Sequence, residues 1–137
     1  MKCLSTLCLL GIHLRSEFKL ATARLGEPDL ADHSPPEYGG DRFGMYTWRR
    51  HGLSILTWLR DPELVWAVRI DQACAIDSDL GFGVGSLREH VLALLPADWY
   101  DRDHAVEVAR ERNRLIVSFV EDKVSTVQLM APMGNDS

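Results

Sequence analysis

Gly11-Ile12-His13-Leu14-Arg15-Ser16 and Gly81-Phe82-Gly83-Val84-Gly85-Ser86 follow one pattern: glycine, apolar, any residue, apolar, any residue, serine. Each is followed by a short amphipathic stretch. Residues 17–25 place Phe18, Ala21 and Leu25 on one helical face, and residues 87–95 place Leu87, Val91, Leu94 and Leu95 on one. Ser16 and Ser86 stand where a hydroxyl can cap the first turn, and Ser86 with Glu89 has capping-box spacing. Gly26 and Pro96 end the two helices.

Beyond each helix come a polar loop and three candidate strands. In the first copy these are 43–48, 53–59 and 64–70, with turns at 49–52 and 60–63. In the second they are 104–110, 115–120 and 123–130, with turns at 111–114 and 121–122. Val106 and Val108 alternate with polar residues, as a half-buried strand requires. Leu53-Ser54-Ile55 falls on Leu115-Ile116-Val117, and Val68-Arg69-Ile70 on Val127-Gln128-Leu129. The expected fold is therefore α+β: a tandem repeat of two βαβββ units, 7–70 and 77–130. Antiparallel sheet is expected, with both short helices packed on one face. The 137 residues fit one domain, with 131–137 expected as a flexible tail.

Composition narrows the function classes. The chain is 46% hydrophobic and carries a formal net charge of −5, which argues against a general nucleic-acid binder. Cys3, Cys8 and Cys74 are odd in number and irregular in spacing, so no disulfide framework is expected. Lys2 and the apolar run 3–12 imitate a signal peptide, with Ala21-Thr22-Ala23 as a mock cleavage site. However, Arg15, Glu17 and Lys19 separate the run from that site, and Leu7 stands before Cys8 where a lipoprotein needs a small residue. If 7–25 matches 77–95, the first strand and helix belong to the fold. A cytoplasmic protein starting at Met1 is the expectation, with no membrane span.

No motif for catalysis or metal binding emerges. The run 81–85 lacks GxGxxG spacing and a following Lys-Ser/Thr. Asp101, Asp103 and His104 form the densest potential ligand cluster, but a site needs three or four converging ligands. No G-x-S-x-G elbow occurs. The expectation is a non-enzyme without cofactor or metal. Trp48, Trp58 and Trp66 lie on expected strands and read as packing residues, whereas Trp99 lies in a loop. The loops 27–42, 71–80 and 97–103 hold eleven of the twenty acidic residues, so negative charge is concentrated in loops. Two of them occupy the same place in the two copies. Glu37, Tyr38 and Asp41, with Asp98, Trp99, Tyr100 and Asp101, are the candidate partner-binding residues. Aromatic anchors set among acids suit a partner with a basic surface.

Tyr46-x-Trp48-x-x-x-Gly52-Leu53-x-Ile55, after Leu25-Gly26-Glu27-Pro28, resembles a pattern of small bacterial immunity-type proteins encoded beside polymorphic or type VI secretion toxins. The resemblance covers 11–70, with 81–130 as a weaker second copy. It departs at Arg49-Arg50-His51, where acidic residues are usual, and in the missing Tyr-x-Trp of copy two. It implies a protein that binds and neutralises a cognate toxin. A second resemblance, to small outer-membrane assembly lipoproteins with glycine-led helices ending in Gly-x-Pro, implies an envelope assembly or adaptor module. A third, to tandem-repeat inhibitors of secreted hydrolases, again implies a binding protein.

Overall fold

The computed structural model describes residues 8–33, 42–60, 62–72, 80–102 and 104–132. A two-residue hairpin, β1 (Cys8–Leu9) and β2 (Ile12–His13), leads into α1 (Phe18–Leu25). Then come β3 (Leu30–His33), β4 (Phe43–Trp48), β5 (Leu53–Trp58) and β6 (Leu64–Ile70). The helix α2 (Arg88–Leu94) precedes β7 (Tyr100–Arg102), β8 (Ala105–Arg110), β9 (Asn113–Val120) and β10 (Lys123–Met130). The chain is thus α+β, and all its ladders among the described residues are antiparallel. The main sheet has eight strands in the order β3-β4-β5-β6-β10-β9-β8-β7. Two four-stranded meanders therefore meet along their last strands.

At that seam Val68 opposes Leu129, Arg69 opposes Gln128, and Ile70 opposes Val127. Both meanders carry one irregularity, between Leu56 and Thr57 against β6 and between Val124 and Thr126 in β10. Six of the expected strands form within two residues of their expected limits. Their turns explain why. Glu111-Arg112 and Glu121-Asp122 all have positive φ, as the central residues of a two-residue type I′ hairpin must. Gly52, in the left-handed region at φ 65°, closes the short 3-10 turn Arg49–His51.

The expected βαβββ unit differs from what forms. Four strands, not three, follow each helix, because β3 and β7 pair onto the meander edges. Every residue of these two strands is exposed, so they carry no buried alternation to betray them. The lead strand also differs. Among the described residues β1 and β2 pair only with each other, and before α2 only an isolated bridge from Leu87 to Lys123 forms. Leu9, Ile12 and Leu14 are nonetheless buried in the core, as are Leu80 and Phe82. Residues 131 and 132, expected in the tail, are bonded to β6. The Ala131 amide donates to the Trp66 carbonyl at 2.9 Å, and the Trp66 indole N–H donates to the Pro132 carbonyl at 3.2 Å.

The serines do not cap the helices. Ser16 Oγ donates to the His13 carbonyl, and Ser86 Oγ accepts from the Gly83 amide, so each closes the turn before its helix. Glu17 and Leu87 take the cap position without a side-chain cap bond. The sheet supplies the missing acceptors. The Phe18 amide donates to the Glu63 carbonyl and the Arg88 amide to the Asp122 carbonyl, both at 2.8 Å.

Both helices start over the same sheet face. The Phe18 ring stacks on Tyr46 at 4.1 Å, and the Arg88 guanidinium lies 4.9 Å from the Phe119 ring. Tyr46, Ile55, Val68, Leu129 and Leu115 oppose one another in turn, and Phe119 lies on the Leu115 side of β9. This inner face is buried throughout, including Trp48. Truncating Leu129, fully buried at the seam, should cost about 2–5 kcal/mol. Urea unfolding of Leu129→Ala against wild type checks this, with an unchanged denaturant slope expected.

Candidate functional site

The resemblance motif is a packing device. The Trp48 indole N–H donates to the Gly26 carbonyl at 3.0 Å, which ties Leu25-Gly26-Glu27-Pro28 to Tyr46-x-Trp48. Gly26 has φ 84°, a conformation that suits glycine. Phe18 from α1 lies against both rings of the pair.

Beside it sits a polar cluster. Tyr46 and Thr57 hydroxyls donate to one oxygen of Glu63, at 2.6 and 2.5 Å. His33 Nε2 lies 3.2 Å from the Tyr46 hydroxyl, whose hydrogen already serves Glu63, so His33 is the donor there. A Cβ on Gly44 would lie 2.8 Å from Thr57 Oγ1 and 2.9 Å from the Tyr46 ring, so glycine makes room for this cluster. Burial, then the hydrogen bond to Glu63 and its charge, push the Tyr46 hydroxyl well above the usual tyrosine range. Glu63 also lines an open cleft of about 320 Å³ with Glu17, Phe18, Lys19, Thr22 and Pro62. In the second meander the matching register positions hold Val106, Phe119 and Asp122.

The candidate partner-binding residues fall into three groups. Glu37, Tyr38 and Asp41 lie outside the described residues. Asp98 accepts a two-pronged ion pair from Arg110 at 2.6 and 2.9 Å, which holds its carboxyl below the usual range. Asp101 accepts from Arg88 at 3.1 Å. Trp99 is half-buried against the core, while Tyr100 is 46% exposed on β7. β3 and β7, the described strands of the two matching loops, form the opposite edges of the sheet, six strands apart. Asp98 and Asp101 are therefore each paired with an arginine of this chain at the surface.

The structure draws attention instead to the outer face of the sheet, away from the helices. Along β9, Leu115, Val117 and Phe119 are buried, whereas Arg114, Ile116 and Ser118 are only half-buried. One row of opposed residues crosses all eight strands: Leu30, Thr47, Ser54, Arg69, Gln128, Ile116, Glu107 and Tyr100. It ends on two exposed apolar residues, Leu30 and Tyr100. A flanking row brings Asp32, Met45, Leu56, Ala67, Met130 and Arg114. Glu107, only 3% exposed, is held by Arg102 at 2.7 Å and by Arg114 at 3.7 Å. No sequence motif marks this face, because its members sit one per strand. The sequence signal for it is the non-apolar half of each strand alternation.

Among the described residues no group of three or more His, Cys, Asp or Glu converges as a metal site, and no helix is long and apolar enough to cross a membrane. Gly81 and Gly85 have positive φ and serve the turn into α2. Comparison with protein-family models, with curated proteins and with solved structures found no match.

The raised Tyr46 pKa has a signed consequence. Its stabilising effect is complete below the unfolded tyrosine pKa of about 10 and is lost as pH rises above that value. Tyr46→Phe should cost about 1.5–3 kcal/mol at pH 7, the scale for a hydrogen bond to a charged group. It should also flatten the alkaline fall in stability. Urea unfolding between pH 7 and 11 reads both effects.

Proposed function

We propose that this is a non-catalytic protein-binding protein of the immunity type, which neutralises a toxin encoded beside it in a bacterial genome. We propose further that it holds its partner on the outer face of the sheet. The observation that carries this reading is the composition of that face. Binding surfaces are enriched in aromatic residues, Met and Arg and depleted in Lys, Glu and Asp at their centre. The two rows described above supply Tyr100, Met45, Met130, Leu56 and Ile116, with Arg69 and Arg114. At the centre of the face their carboxylate, Glu107, is buried and paired, and Asp32 lies exposed at the β3 edge. The toxin-neutralising part rests on the resemblance motif, whose glycine and tryptophan are joined by a hydrogen bond.

A duplicated origin fits the same reading. In this view each copy is a helix followed by a four-stranded meander. What supports it is agreement of register. Val68–Leu129 and Val127–Ile70 are the same pair seen from either meander, and Arg69–Gln128 lies between them. The bridges Glu17–Leu64 and Leu87–Lys123 also correspond. Joining two such units at their last strands makes one face wide enough to hold a protein.

The experiment is co-expression with the product of the adjacent gene. Growth rescue and an isolable complex are expected. Met45→Asp combined with Ile116→Asp should weaken the complex at least tenfold, because a charge would face the partner's apolar surface. The thermal midpoint should change little, since neither side chain is fully buried. An unchanged affinity would remove the outer face from the interface. Absence of any complex would remove the toxin-neutralising reading.

A further inference from the structure

We infer that Arg69 is the central anchor of the outer face and that the partner meets it with a carboxylate. This rests on the outer face being the binding surface and adds the chemistry of what it binds.

Arg69 lies at the middle of the eight-strand row, opposite Gln128 on the seam, and is exposed. Among the described residues its guanidinium has no hydrogen-bond or ion-pair partner. The two other arginines of this face, Arg102 and Arg114, both turn to Glu107. Arg69 is therefore the arginine of this face that no carboxylate among the described residues compensates. Its neighbours are engaged with one another. Ser54 and Thr47 hydroxyls bond each other at 3.0 Å, and the Gln128 amide reaches only Met130 Sδ at 3.6 Å. The guanidinium itself is a planar fork of N–H groups. A carboxylate, planar and acceptor-only, matches that fork with two parallel bonds.

The apolar frame makes the pair matter. Leu56, Ile116 and Met130 are half-buried around it, and a partner covering them would exclude water from the charge pair. The partner that fits is a protein with an Asp or Glu at the centre of an apolar patch. This reverses the sign that the acidic loops suggest, since Asp98 and Asp101 are already paired within the chain.

Two measurements decide it. The first follows the Arg69 Nε–H resonance and the amides of 68–70 and 127–129 during titration with a short peptide alternating leucine and glutamate. A leucine–lysine peptide is the counter-probe. Shifts with the glutamate peptide alone, weakened at least tenfold in Arg69→Met, are expected. Shifts with the lysine peptide, or none with either, would overturn the inference. The second uses the complex with the adjacent gene's product. Arg69→Met should weaken it tenfold or more, Arg69→Lys less, and Arg69→Glu most, all with an unchanged thermal midpoint. If all three Arg69 variants bind as wild type while Met45→Asp/Ile116→Asp does not, the carboxylate anchor is wrong and the binding face stands. If neither set weakens binding, the face itself is wrong.

Discussion

The seam between β6 and β10 is the contact on which the rest of the structure depends. Four pairs, from Ala67–Met130 to Ile70–Val127, join two meanders that otherwise share no ladder among the described residues. Val65, Ala67, Val68, Ile70, Val127 and Leu129 along it are all buried to within 1% exposure. A four-stranded meander with one short helix has little core of its own, and small domains are marginal for that reason. Joined edge to edge, the two share one continuous inner face, which the helices and the segments around Leu9, Ile12, Leu80 and Phe82 seal. The same junction removes an exposed edge from each meander, leaving the short, polar β3 and β7 as the outer edges.

Sealing only one side sets the character of the other. Because every opposed pair shares a face, burying Tyr46, Ile55, Val68, Leu129 and Leu115 commits their neighbours to the outer side. There the residues are not the charged mixture of an ordinary solvated sheet. Glu107 is buried under two arginines, the hydroxyls of Thr47 and Ser54 satisfy each other, and Leu56, Ile116 and Met130 remain half-open. We read this as a surface prepared for a partner. The helix layer has exposed leucines too, Leu20 on α1 and Leu94 on α2 with Leu87 at the α2 cap, but they belong to two separate short helices.

Much of the fold was legible because its signals are local. Alternation in 105–110 and 123–130, and the turn residues Gly52 and Glu121-Asp122, located strands directly. What escaped had non-local causes. β3 and β7 are strands only because a neighbouring edge pairs with them, and Leu30–His33 carries no alternation of burial. Ser16 and Ser86 looked like caps because the sequence could not show that Glu63 and Asp122 carbonyls would meet the first-turn amides. The candidate site was legible only in Tyr100, which ends the outer row. Asp98 and Asp101 looked free because Arg110 and Arg88 come from other elements. The Tyr46, Thr57, Glu63 and His33 cluster was invisible for the same reason, its members being drawn from separate segments.

The central claim is that the outer sheet face, not the helix layer or the acidic loops, carries the partner. Methyl cross-saturation NMR on the complex with the adjacent gene's product addresses it most directly. Irradiating the partner should attenuate the methyl signals of Met45, Leu56, Ile116 and Met130, and leave those of Leu20, Leu87 and Leu94 at full intensity. Attenuation confined to the helix leucines, with the four sheet methyls unaffected, would contradict the account.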